Sequence, residues 1–274
     1  MQTKESSINM KWILNILFWL AVIAYYFLSL GFVSDRRHEL VCTSVEVNIV
    51  DSDRSRFVTA ADILQMVDNR SQKLAGVRFD SIHIPKITQR LGDFAPIRRA
   101  HIYKTINGAV HIDVMQRMPV LRIINRYGEG FYLDEQGELL RHSSRYCAHV
   151  LVASGYINLR PEQNNYNVFA AGIVPGKRNI MRELFDLAVY INDDRFWKAQ
   201  IQQIYVNEDG DFELIPLVGG HVIVFGSFDK PSVKFSMLEL FYRNGLNVMG
   251  WNSYDVINLK FEGQIVATKN NKYQ

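Results

Sequence analysis

Apolar residues follow three different spacings along this chain, and each spacing predicts a different kind of element. From Trp12 to Val33 they are continuous and uncharged, with Asn15 and Ser29 the only strongly polar interruptions. A run of ~22 residues rises roughly 33 Å as a helix, the thickness of a bilayer's hydrocarbon. Trp12, Trp19, Tyr25 and Tyr26 supply aromatics suited to the membrane interface. The run is longer than a cleaved signal's apolar core, and it leaves through Gly31-Phe32-Val33, a poor cleavage site. The reading is therefore a single uncleaved anchor over 12–33. Lys4 and Lys11 before it nearly balance Arg36 and Arg37 after it. Long downstream domains translocate largely regardless of such charges, so residues 1–11 are expected inside and about 240 residues outside.

After the run the spacing changes to two and then to helical. Val45 to Val50 alternate apolar and polar as a half-buried strand does. Thr59 with Asp62 three residues on forms a capping-box variant, and Ile63, Met66 and Val67 share one helical face. Phe57 is placed to staple onto Ile63. Gly76 breaks the chain, and Pro85 opens a short second helix that closes near Gly92. A strand over Ala100–Ile106 meets Asn107-Gly108, a strong hairpin signal, and returns over Ala109–Met115. The order is β-α-α-β-β, in a first domain over 43–118. Pro119 then leads straight into Val120–Ile124, with no flexible linker.

The remaining stretch, 119–268, predicts a mostly antiparallel β domain with flanking helices. Strands are read at Tyr127–Leu133, Glu138–Leu140, Val150–Ala153, Ile201–Val206, Phe212–Leu217 and His221–Phe225. Helices are read at Lys177–Asp193, with Ile180, Leu184, Leu187, Ala188 and Ile191 on one face, and at Pro231–Arg243. Asp193-Asp194 reads as the turn that ends the first of these. The domain closes on a long alternating strand, Val256–Ala267, with a break at Gly263, and residues 269–274 are a tail. The fold class is α+β.

Composition adds mainly exclusions. Of the residues 48% are hydrophobic and 22% charged, so the chain can bury a core. Net charge is +3, spread along its length, which argues against a strongly basic nucleic-acid binder. Mean hydropathy is −0.07, raised by the apolar run. Cys42 and Cys147 are too few for a disulfide scaffold or thiolate zinc, and both are read as free thiols. None of the seven histidines has metal-site spacing, and His111 with Asp113 reads as a solvated strand face. Gly172 to Lys177 is one residue short of a phosphate loop and lacks the following Ser or Thr. No catalytic motif or cofactor site is found, so the reading is not an enzyme.

Several segments in this order carry a resemblance: Phe57-Val58-Thr59, Val114 to Val120, Phe131 to Gly137, Gly220 to Gly226, and Ile257 to Phe261. Over residues 10–268 the chain resembles the bacterial cell-division family FtsQ, called DivIB in Gram-positive bacteria, and its β-α-α-β-β module looks like a POTRA domain. It departs from the family where Asn258, Lys260 and Phe261 stand in place of the usual Asp, Arg and Tyr, and loop 158–176 is longer. The resemblance implies a non-catalytic inner-membrane scaffold of the septum. It implies FtsB- and FtsL-type single-pass coiled-coil partners, and other divisome members met through the POTRA domain. The partner site it implies is the terminal strand, at Leu259, Lys260, Phe261, Gly263 and Ile265. Lys234, Leu238 and Tyr242 of the preceding helix would form a second wall. The alternative is another POTRA-bearing envelope assembly or secretion factor. Such chains carry several POTRA repeats and a barrel, and this one shows one module and no barrel-length strand series.

Overall fold

The computed structural model describes residues 10–38, 40–68, 73–141, 146–160, 166–170 and 178–270. The apolar run forms one continuous helix, α1 (Met10–His38). Its described side chains, residues 12–28, amount to about 25 Å of helix, against a hydrocarbon thickness of roughly 30 Å. Among the described residues no helix is long and apolar enough to cross a membrane.

The chain divides into two compact units. The first holds residues 1–50, 59–93 and 99–114; the second holds 51–58, 94–98 and 115–274. In the first, α2 (Ala60–Val67) starts at the expected capping box. Thr59 N–H donates to the Asp62 carboxylate at 3.0 Å, and Asp62 N–H donates back to the Thr59 hydroxyl at 3.3 Å. α3 (Ile84–Gly92) carries Pro85 in its first turn, where a missing N–H costs nothing. Strands β1 (Ser44–Ile49), β2 (Ile97–Lys104) and β3 (Ala109–Gln116) form a sheet of order β1-β3-β2, with β1 parallel to β3. Parallel pairing needs a crossover, and α2 and α3 supply it. Val110, Ile112 and Val114 are fully buried, the face that alternation predicts, but Ile106 lies beyond the strand and is exposed.

Phe57 does not staple α2. It belongs to the second unit, where its ring meets Tyr132 at 5.4 Å and Tyr146 at 4.9 Å, both edge to face. Segment 51–58 is held there by Gln116. That side chain accepts Val58 N–H at 2.9 Å and donates to the Ser55 carbonyl at 2.7 Å.

The second unit is built on one nine-stranded sheet. Its strands are β4 (Pro119–Ile124), β5 (Gly130–Asp134), β6 (Leu139–Arg141), β7 (Leu151–Gly155), β8 (Ile201–Val206), β9 (Phe212–Pro216), β10 (Val222–Gly226), β11 (Tyr254–Asn258) and β12 (Val266–Lys269). The order is β12-β11-β10-β9-β8-β7-β4-β5-β6. Pairings are mostly antiparallel, with β4–β7, β7–β8 and β10–β11 parallel. α4 (Ile180–Asp193) buries Leu184, Leu187, Ala188 and Ile191 completely. Each Leu or Ile so buried contributes about 1.5–3 kcal/mol. Asp194 does more than end α4. Its carboxylate accepts the N–H groups of Phe196 and Trp197 at 2.8 and 2.9 Å and caps a further helix, α5 (Arg195–Gln200). α6 (Pro231–Phe241) follows, extended by a wider π-type turn over Tyr242–Leu246.

The long terminal strand read over 256–267 is two strands. β11 stops at Asn258, whose side-chain oxygen accepts Lys260 N–H at 2.9 Å and starts a turn. Gly263 sits in that turn at φ +73°, a conformation in which a side chain is strained. The chain then reverses into β12, antiparallel to β11. β11 runs parallel to β10 because α6 carries the chain back between them, a βαβ unit at the end of an otherwise meandering sheet.

Candidate functional site

β12 is the outermost strand at its end of the sheet, and among the described residues nothing pairs with its outer side. The inner side is defined: Asn270 N–H donates to the Ser253 carbonyl at 2.9 Å. Along an antiparallel strand both backbone groups of a residue point the same way, alternating residue by residue. Thr268 and Val266 therefore face β11, and Ala267 and Lys269 present their N–H and C=O groups outward. Val266 is 45% exposed, and Thr268 and Lys269 are also exposed.

The eight residues expected to contact a partner separate into two sets. Leu238 and Tyr242 are core, as is Leu259, whose N–H donates to the Val224 carbonyl at 2.9 Å. Lys234 is buried as well: its ammonium donates to the Ser227 carbonyl at 2.9 Å and pairs with Asp229 at 2.6 Å, over the ring of Phe225. These four hold the site's foundation together and offer no surface. Lys260, Phe261, Gly263 and Ile265 lie in the β11–β12 turn, not on a strand. Ile265 is partly buried against the core, whereas Phe261 is 48% exposed and the space around Gly263 is open.

Lys260 is committed within its own unit. Its ammonium reaches Asp211 at 2.6 Å, and Arg178 reaches the same carboxylate at 3.2 Å and Glu183 at 2.8 Å. Burial alone would raise the Asp211 carboxyl, but hydrogen bonds and charge from Lys260 and Arg178 hold it below the usual carboxylate range. The Lys260 ammonium is raised in turn by its bond to Asp211. Lys230 also pairs with Glu262. The turn is thus tied by charge to Asp211, just before β9, and to Lys230, just before α6.

At the opposite end of β10 from that turn lies a buried polar pair. His221 Nε2 is 2.9 Å from the Tyr242 hydroxyl, and both residues are nearly inaccessible. Burial pushes the His221 imidazole below its ordinary value, opposed by the nearby Trp251 carbonyl. The same burial raises the Tyr242 phenol.

Periodicity alone missed the rest of this surface. Leu240, Val248 and Met249 are exposed, and Phe241 packs edge to face on Tyr254 of β11 at 5.4 Å. Leu240 and Phe241 end α6, within the helix that the sequence predicts, whereas Val248 and Met249 follow the π-type turn, where no repeat exists to read. The only available signal was an unusual run of large apolar residues between two elements.

Chemistry elsewhere is sparse. His111 pairs with Glu46 at 3.3 Å, and Asp113 accepts from Asn48 at 3.1 Å, so the two do not converge on one ligand. Among the described residues no three His, Cys, Asp or Glu side chains are placed to hold a metal. Cys42 is buried and Cys147 exposed, and both are free.

Two family models match the chain. One, described as FtsQ/DivIB, C-terminal related, covers residues 118–268, more than half of the chain. The other, a POTRA-like domain, covers residues 40–115. No curated protein matches it.

Proposed function

The chain belongs to the FtsQ/DivIB cell-division family and carries a POTRA-like domain, and from that premise we propose that it is a non-enzymatic divisome scaffold whose open sheet edge captures an FtsB/FtsL-type subcomplex during septum formation. α1 anchors it in the inner membrane as a single pass, with residues 1–11 in the cytoplasm and the bulk in the periplasm. The apolar run 12–33 in the sequence supports this anchor. The POTRA-like domain meets further divisome members.

The observation that carries the reading is the unpaired outer side of β12. An exposed edge offers a row of free backbone groups to an incoming strand, and neighbouring pockets then give specificity. Phe261, in the turn that precedes that strand, is the apolar anchor, and the neighbouring Lys260 ties the turn to Asp211.

The test is capture from native membranes by the full-length protein tagged at Met1. Ala267→Pro removes an outward N–H that the fold itself does not use, and edge positions tolerate proline. Phe261→Glu puts a charge where an apolar side chain should dock. Each is expected to lower recovery of small single-pass coiled-coil proteins at least ~tenfold, the order of one lost hot-spot contact. Full recovery with both folded variants would contradict strand addition at this edge. Recovery of outer-membrane or secretion components in their place would contradict the division role.

A further inference from the structure

The first unit carries a second surface that strand addition does not use. A small concavity of about 140 Å³ opens between α2, α3 and residues 73–83 before α3. Lys73, His83, Lys86 and Arg90 line it, over a floor that includes Leu74 and Ile87, and no carboxylate is among its lining residues. Arg90 donates to the Met66 carbonyl at 3.1 Å, which holds its guanidinium at the rim. Among the described residues neither Lys73, Lys86 nor Arg90 is in an ion pair. The segment bearing Lys73 is pinned by Leu74 N–H, which donates to Asp68 at 3.0 Å. α3 starts at the same place, with no acidic residue in its first turn and no side-chain cap at His83. Its positive end adds to the field of the cations.

The position of this concavity is set by the chain leaving α1. Phe79 N–H donates to the Leu40 carbonyl at 2.9 Å, Cys42 N–H to Val77 at 2.8 Å, and Val41 bridges Arg78. Leu40 is two residues beyond the end of α1, about 8 Å of chain. The helix itself runs only about 7.5 Å past Val33, where the apolar run stops. Phe79, bonded to Leu40, is thereby held within about 20 Å of the end of that run, and Val77 and Ser81 on either side of it help to line the concavity. The headgroup layer is several ångströms thick, and charge reaches a further 8–10 Å at physiological salt.

We propose that Lys73, Lys86 and Arg90 form a docking surface for the phosphate of anionic membrane phospholipids, which seats the POTRA-like domain on the bilayer. The inference rests on the reading of α1 as the anchor. It gives the domain nearest the membrane a lipid-dependent resting position, separate from the sheet edge that takes the protein partner.

The test uses the full-length chain in lipid nanodiscs of phosphatidylcholine alone, or with a third phosphatidylglycerol, and reads amide hydrogen exchange over residues 73–92. Phosphatidylglycerol is expected to slow exchange there about tenfold, the scale set by a few basic residues at an anionic surface. The Lys73→Glu/Lys86→Glu/Arg90→Glu variant should lose the difference, as should the wild type in 0.5 M salt. Exchange over β12 in the variant should match the wild type, which shows the rest of the chain is folded. Equal exchange in both lipids, from chain that co-migrates with the discs, overturns the proposal and leaves the anchor standing. The same protection from inorganic phosphate in phosphatidylcholine discs overturns the lipid assignment. Chain recovered outside the discs overturns the anchor, and the proposal with it.

Discussion

The two edges of the nine-stranded sheet are treated in opposite ways. At one end β6 is three residues long, with Leu139 and Leu140 buried. Its outer side is covered: Leu139 N–H donates to the Tyr166 carbonyl at 3.0 Å, and Val168 N–H to Gly137 at the same distance. The Asn167 side chain seals the cover, donating to the Gln136 carbonyl at 3.1 Å and to Glu138 at 2.9 Å. At the other end β12 is exposed, with Ala267 and Lys269 directed outward and a half-exposed Phe261 in the turn that precedes it. Proteins blunt free edges because such edges recruit other chains. Among the described residues one edge is closed and the other open, and on the proposed reading the open one is where a strand is added.

The comparison can be broken from either end. The largest effect is expected at the closed edge. Gly137 sits at φ +71°, and a Cβ there would come within 2.5 Å of Val168 and 2.7 Å of the Phe169 ring. Gly137→Ala should therefore displace the cover and cost about 1–3 kcal/mol from backbone strain alone. Thermal unfolding reads the loss, and concentration-dependent self-association of the variant reads the uncovered β6. Partner capture at β12, at the far end of the sheet, should persist.

A smaller effect is expected from the buried His221–Tyr242 pair. The His221 imidazole titrates below 6.5 in the folded chain because burial disfavours its charge. Between that depressed value and 6.5 the unfolded chain binds more protons than the folded one, so stability falls as pH is lowered through the window. His221→Gln should flatten that part of the stability curve and leave the alkaline side unchanged. Denaturant midpoints at pH 7.5, 6.0 and 5.0 test this. A wild-type midpoint constant over that range would remove His221 as the acid-sensitive group.

The smallest effect belongs to Lys260. Its pair with Asp211 lies half in solvent, where such pairs are worth about 0–1 kcal/mol. Lys260→Ala should scarcely change the melting temperature, and should weaken partner capture only by loosening the turn that carries Phe261. A loss as large as that of Phe261→Glu would mean Lys260 touches the partner directly.

Much of the fold was legible because it is periodic or capped. Thr59 with Asp62, Asn107-Gly108 and the α4 face from Ile180 to Ile191 each state a local rule, and the structure obeys it. What failed was decided by tertiary partners. Phe57 looked like a staple for α2 and went to Tyr132 and Tyr146. In residues 256–267 the break read at Gly263 is present, but an Asx turn at Asn258 opens it earlier and the chain reverses instead of continuing. For the proposed partner site, the resemblance pointed to the β11–β12 end of the sheet, while periodicity could not tell that Lys234, Leu238, Tyr242 and Leu259 are buried. Nor could it tell which backbone groups of β12 remain free, because that depends on the partner strand and its register.

The most direct measurement is residue-resolved amide hydrogen exchange on β12 with and without a saturating FtsB/FtsL-type subcomplex. The account predicts that Thr268 and Asn270, already bonded inward, are protected in both states. Ala267 and Lys269 should exchange freely alone and become protected in the complex. Unchanged exchange at Ala267 and Lys269 in a saturated complex would contradict strand addition at this edge.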